Sequence, residues 1–131
     1  MAKTIITTAK APAAIGPYSQ AVAGGGVVYL SGQIGIDPQT RALVPGDVRR
    51  QTRQVLENLK AVLEASGAKL DDVVKTTIYL TNLAEFAQVN EIYAETFSSN
   101  PPARATVGVA ALPLGAKVEI DAIAVPGLGA S

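Results

Sequence analysis

Arg104, Glu119 and Asp121 are the side chains in this sequence with the most chemistry to offer, chiefly because so little else is available. The 131 residues contain no Cys and no His. Thiolate nucleophiles, disulfides, iron–sulfur clusters and Cys-bound zinc are therefore excluded. So is imidazole, the commonest acid–base group and metal ligand. Proton transfer must fall to carboxylates, Tyr, Lys or water. Arg104 offers a planar fork that pairs both oxygens of a carboxylate at once. On its own it equally suits a structural ion pair at a strand edge. Glu119 can activate a water or return a proton to a leaving group when partial burial lifts its pKa. The competing role is a salt bridge to Lys117 or Arg104. Asp121 reads as a solvated or structural carboxylate. Asn90 lies four residues after Phe86 and three before Tyr93, on the apolar stripe of a helix, where an amide must find hydrogen bonds. It either reaches a ligand or ties the helix to a strand.

Lys plus Arg equals Asp plus Glu at 11 each, so the formal net charge is zero. A nucleic-acid partner would call for a basic excess, and base stacking for more aromatic residues than 5%. Arg49, Arg50 and Arg53 are close together but fit a solvated helix face. The Gly24-Gly25-Gly26 triplet lacks the Gly-Lys-Ser/Thr of a phosphate loop. No apolar run is long enough to span a membrane, and Met1 to Thr8 lacks a secretory core. These features lead us to expect a cytoplasmic protein with no membrane or nucleic-acid partner. The length suits one domain over residues 1–131, with enough chain to bury a core unaided.

The elements that must position these residues follow from hydrophobic period. Val27 to Ile36 alternates as a strand, with Val28, Leu30, Ile34 and Ile36 on one face and Tyr29, Ser31 and Gln33 on the other. The glycine triplet before it is a turn from an earlier strand near Ser19 to Ala23. A helix is expected from about Asp47 to Ser66, with Asp47 as N-cap and Gly67 as stop. Val73 to Thr81 is β-branched and reads as a strand. Asn82 and Glu85 form a capping-box pattern opening a second helix, with Leu83, Phe86, Val89, Tyr93 and Phe97 on its stripe. Pro101-Pro102 bars its continuation. Arg104–Ala111 and Lys117–Val125 alternate as strands, and Leu112–Ala116 is expected to join them as a hairpin.

The order is ββαβαββ, an α+β fold with a mixed sheet and both helices on one face. If the cleaner apolar face of each strand meets the helices, Ala105, Val107 and Val109 point inward. The other face then carries Ser31, Gln33, Thr77, Tyr79, Arg104, Thr106, Glu119 and Asp121. Such a surface suits either solvent or a subunit interface.

Pro102-Ala103-Arg104-Ala105-Thr106-Val107, followed by Leu112 and Val118-Glu119-Ile120, resembles the C-terminal signature of the RidA (YjgF) family. Ala14-Ile15-Gly16-Pro17-Tyr18-Ser19-Gln20 is similar to its N-terminal motif, and Leu30-Ser31-Gly32-Gln33 to its central strand. Gln88-Val89-Asn90 matches the position of the family's helix asparagine. The likeness covers nearly the whole chain, with the motifs in the expected order.

It implies a chorismate-mutase-like fold and a homotrimer with sites between subunits. It also implies deaminase activity without cofactor or metal. Reactive 2-aminoacrylate and related imines, such as 2-iminobutanoate and 2-iminopropanoate released by pyridoxal-phosphate-dependent dehydratases, would be hydrolysed to 2-keto acids and ammonia. On this basis Arg104 would hold the substrate carboxylate and Glu119 the water. Tyr18 and Ser31 would offer hydroxyls at the pocket rim, Gly32 a backbone N–H, Asn90 an amide and Thr106 its main-chain carbonyl. Thr106 stands where many bacterial members carry Cys, which puts any thiol-dependent role in doubt. A non-enzymatic sensor of small keto or imino acids would use the same pocket. RNA cleavage, reported for some relatives, sits poorly with the neutral charge. A chorismate mutase would need several cations, of which Arg104 is the only obvious one.

Overall fold

The computed structural model describes residues 2–130. A long helix, α1 (Val48–Ala65), and a shorter one, α2 (Phe86–Thr96), pack on one face of a six-stranded mixed sheet. The strands are β1 (Thr4–Ile6), β2 (Ala21–Gly24), β3 (Val27–Gln33), β6 (Val73–Leu80), β7 (Ala103–Gly108) and β8 (Val118–Ala124), in the order β1-β2-β3-β8-β6-β7. A small separate hairpin, β4 (Ile36–Asp37) with β5 (Ala42–Leu43), precedes α1. The α+β arrangement is the one expected, with β1 and the β4–β5 hairpin added to it.

The local signals act as their chemistry requires. Gly25 and Gly26 take φ of 61° and 81°, the left-handed pair that closes a tight hairpin between β2 and β3. The Asp47 side chain accepts the Arg50 N–H at 3.1 Å and caps α1. Gly67 follows the helix with φ 82°. Val55, Leu59, Val62 and Leu63 are sealed against Val28, Leu30, Ile78 and Ile120 in a single core. Asn82 caps a short turn, Leu83–Glu85, that leads into α2. That helix ends at Thr96, before Pro101-Pro102, and Leu83 stays exposed rather than joining the stripe.

Three long-range features differ from the expected sheet. The first is the hairpin. β7 and β8 are not neighbours, because β6 lies between them, parallel to β7 and antiparallel to β8. The chain after β7 crosses the strand end through a turn at Pro113–Gly115 and enters β8 beyond β6.

The second is the facing of β7. Arg104 and Thr106 align with Thr76 and Ile78, which are buried under the helices, whereas Ala105 and Val107 align with Thr77 and Tyr79 on the opposite face. Arg104 and Thr106 thus leave the set assigned to the second face, and the apolar stripe of β7 takes their place. An edge strand beside a short helix has little core to bury its apolar stripe in. Arg104 instead lays its guanidinium on the rings of Phe86 and Tyr93, 5.3 and 4.9 Å from their centroids.

The third is a register shift in β3 between Leu30 and Gln33. The irregularity turns Gln33 into the core opposite Ile120, only 7% exposed, rather than onto the face of Tyr29.

Candidate functional site

The facing of β7 separates the two strongest candidates. Arg104 aligns with Thr76 and Glu119 with Tyr79, three residues apart on β6. Side chains alternate along a strand, so Arg104 rises on the helix face and Glu119 on the other. Three residues along and two strands across place their Cα atoms roughly 14 Å apart.

Arg104 stands in a hollow of about 400 Å³ lined by Asn90, Tyr93, Ala94, Phe97, Pro101 and Pro102. Its Nη1 donates to Asn90 Oδ1 at 2.8 Å. Asn90 is exposed, not buried, and its carbonyl oxygen orients the guanidinium. Tyr93 is buried and its hydroxyl shares a 2.7 Å hydrogen bond with Thr76 Oγ1, which holds the ring under the cation. Burial raises the Tyr93 pKa against opposing influences from Thr76 and Arg104, so the ring stays a neutral platform. Among the described residues, no carboxylate lies within ion-pair distance of Arg104; the ion pairs present join Arg49 to Glu91 and Arg53 to Glu95. The guanidinium is stacked, oriented and without a counter-charge among the described residues.

Glu119 opens into a second hollow of about 360 Å³, with Tyr18, Gly32, Ile34, Pro113 and Leu114 in its wall. A Cβ at Gly32 would lie 2.8 Å from the Glu119 carboxyl carbon, so the carboxylate occupies the space that any other residue at 32 would fill. Burial raises the Glu119 pKa, and the negative charge of Asp121 adds to the shift. Tyr79 lies opposite Glu119 across the strand pair and donates its hydroxyl to Asp121 Oδ2 at 3.1 Å. Burial, followed by that bond and the charges of Asp121 and Glu119, raises the Tyr79 pKa and keeps the hydroxyl a donor.

The other candidates divide between the two hollows and the scaffold. Tyr18 is exposed and lines the Glu119 hollow, as does Gly32. Ser31 does not offer its hydroxyl to the hollow. It donates to the Ser19 carbonyl at 2.6 Å, and its N–H donates to the Gln20 carbonyl at 3.0 Å, tying the 12–20 segment to β3. Gln20 completes that brace by accepting from Thr8 N and donating to the Thr8 and Pro12 carbonyls. Thr106 is half-buried two residues beyond Arg104 on the same face. The aromatic platform under Arg104 was legible in the spacing of Phe86, Asn90 and Tyr93, which share one helix face. No local signal marked Leu114 or the Tyr79–Asp121 pair.

Known proteins share this sequence and fold. A family profile described as endoribonuclease L-PSP matches residues 8–126. The mouse protein named 2-iminobutanoate/2-iminopropanoate deaminase is 52% identical over 125 residues, covering 95% of this chain and 93% of the mouse protein. The structure of YyfA from Yersinia pestis, a member of the conserved Rid protein family, superposes with a TM-score of 0.92 at 54% identity, over 95% of this chain and 99% of that one. TdcF from E. coli, solved with bound serine, superposes with a TM-score of 0.90 at 46% identity, over 95% and 99% of the two chains. With the profile covering residues 8–126 and these relatives matching nearly the whole chain in sequence and fold, the chain belongs to the Rid family, the family of the endoribonuclease L-PSP profile.

Proposed function

We propose that this protein is a 2-imino acid deaminase whose active sites lie between copies of the chain in a homotrimer. The observation that carries this reading is the stacked guanidinium of Arg104, without a counter-charge among the described residues, paired in the sequence with a raised-pKa carboxylate that it cannot meet within one protomer. The carboxylate and the imine carbon of a 2-imino acid are directly bonded, so the groups that bind one and attack the other must converge. A second copy that brings its Glu119 hollow against the Arg104 hollow of the first achieves this. Ile5, Tyr29 and Val107 remain exposed on the face opposite the helices, which gives copies of the chain an apolar surface to bury. The identity with the mouse deaminase supports the reaction. The serine held by TdcF supports a ligand with a carboxylate next to a nitrogen-bearing carbon.

In this mechanism Arg104, held by Asn90 and the rings of Phe86 and Tyr93, pairs with the substrate carboxylate. Glu119 of the neighbouring copy takes a proton from water as the oxygen bonds to the imine carbon and the C=N π pair moves to nitrogen. The product is a carbinolamine. Glu119 then returns the proton to that nitrogen, completing its NH2 group. The carboxylate next takes the hydroxyl proton and delivers it to the same nitrogen as the C–N bond breaks, which releases the ketone and ammonia. One imine and one water become one 2-keto acid and one ammonia. A raised carboxyl pKa suits both proton transfers, because the same group must act as base and then as acid. Tyr18 closes the rim, and Gly32 leaves room for the carboxylate. Ser31 serves by holding the loop that carries Tyr18, and Thr106 can present its main-chain carbonyl beside Arg104. No cofactor takes part.

The decisive experiment is a coupled assay in which an amino-acid oxidase or a dehydratase generates the imine. Keto-acid release is followed with and without this protein. Acceleration above spontaneous hydrolysis supports the deaminase. Binding of 2-ketobutyrate without acceleration would instead identify a sensor of small keto acids.

A further inference from the structure

The two most exposed of the large apolar side chains that stand open to solvent, Ile15 at 87% and Leu114 at 71%, both border the Glu119 hollow. An adjoining hollow of about 450 Å³ shares Pro12, Ala13, Ile15, Ile36 and Leu114 with it, and runs on to Arg41. Leu114 holds φ 58° and ψ 22°, a left-handed conformation that a leucine adopts only against a steric penalty. Glycine or asparagine would fill a turn of this shape at lower cost. Strained backbone of this kind concentrates where a side chain must be presented to a ligand. Here the strained residue is an exposed leucine in the wall of the hollow that Glu119 also lines.

From these features we propose that Leu114, with Ile15 opposite, is the specificity element of the site, and that it clamps an extended apolar side chain of the substrate. The inference rests on the deaminase reading. There, the substrate carboxylate is taken by Arg104 of one copy and the imine carbon by Glu119 of the other. The third substituent on that carbon is the side chain, and the apolar wall it meets is that of Ile15, Ile36 and Leu114. A methyl group would use little of this wall, whereas propyl, isobutyl or longer chains cover it. Substrates of this class lack a β-hydroxyl leaving group, so dehydration of serine or threonine cannot supply them. Their source must be a two-electron oxidation of the amine to the imine, with a flavin-type acceptor taking the electrons.

The test is a chain-length series. An amino-acid oxidase generates 2-iminopropanoate, 2-iminobutanoate and 2-imino-4-methylpentanoate, and kcat/KM is measured for the wild type, Leu114→Asn and Leu114→Met. Each added methylene that becomes buried should improve kcat/KM about threefold to fourfold, mainly through KM. Wild type and Leu114→Met should therefore rise on the order of tenfold or more across the series. Leu114→Asn tolerates the left-handed backbone but removes the apolar surface, so its kcat/KM should be flat with chain length. A flat wild-type series, or a slope in Leu114→Asn equal to that of the wild type, would overturn the proposal. So would a Leu114→Asn protein whose sedimentation changes while its slope does not, since Leu114 would then be a contact between copies. If the wild type accelerates no imine at all, the deaminase reading itself has failed.

Discussion

A mixture of two inactive variants should recover activity if the site is shared between chains. On the proposed mechanism Arg104→Ala removes the carboxylate clamp and Glu119→Gln the acid–base group, so each protein alone should be inactive. Within one protomer the two residues point to opposite faces of the sheet, with β6 between their strands and their Cα atoms roughly 14 Å apart. An active site therefore needs an intact Arg104 from one copy and an intact Glu119 from the next. In an equimolar, fully exchanged oligomer, each requirement is met half the time and the two are independent. The product of the two halves predicts about a quarter of wild-type activity, whatever the ring size, because closed symmetry makes all interfaces equivalent. The assay is the coupled keto-acid release. Subunit exchange is verified by native mass spectrometry of differently tagged chains. If exchange is complete and activity stays at the level of the parents, each site draws both residues from one chain, and the reasoning from strand facing is wrong.

Other outcomes follow from single contacts. Arg104→Ala should lower kcat/KM by the equivalent of about 2–5 kcal/mol, and Arg104→Lys should rescue little of it because an ammonium cannot pair both carboxylate oxygens or stack on Tyr93; steady-state kinetics on folded protein checks this. Gly32→Ala should reduce kcat with little change in melting temperature, because its Cβ would displace the Glu119 carboxylate rather than any core side chain. Asp121→Asn removes a negative charge that raises the Glu119 pKa, so the ionised base should persist to lower pH and the acid limb of the kcat/KM profile should move downward. Asp72 is buried, and burial pushes its pKa up, but the N–H groups of Gly129, Lys69 and Gly127, with the Lys69 charge, outweigh this and hold it below its ordinary value. Its stabilisation is present above the unfolded-state carboxylate pKa and is lost as pH falls through the lower folded value. Asp72→Ala should accordingly cost about 1–3 kcal/mol in denaturant unfolding near neutral pH and show a smaller loss of stability on acidification.

The local content of the fold was carried by short-range chemistry. Asp47 and Gly67 bound α1, the glycine triplet closes β2 onto β3, and the period of Val48 to Leu63 marks the buried stripe, because caps, turns and helical faces depend on residues a few positions apart. The motifs around Arg104, Glu119, Tyr18 and Gly32 were also readable, since each is contiguous. Strand partners were not. Nothing near Leu112–Ala116 says that the chain passes over the end of β6 instead of folding back, and only the pairing of Val118–Ala124 with both β3 and β6 excludes the hairpin. The facing of Arg104 turned on a similar competition. Ala105 and Val107 look like the inward stripe of β7, but Phe86 and Tyr93, arriving from α2, offer the guanidinium a stacking surface and Asn90 a hydrogen bond. The register shift between Leu30 and Gln33 shows only in the pairing with β8, and the need for a glycine at 32 only once Glu119, a residue far along the chain, fills the space beside it. Sequence period specifies which residues alternate, but which alternate set faces the helices is decided by what the rest of the chain brings to each side. That decision placed Arg104 and Glu119 on opposite faces of one protomer.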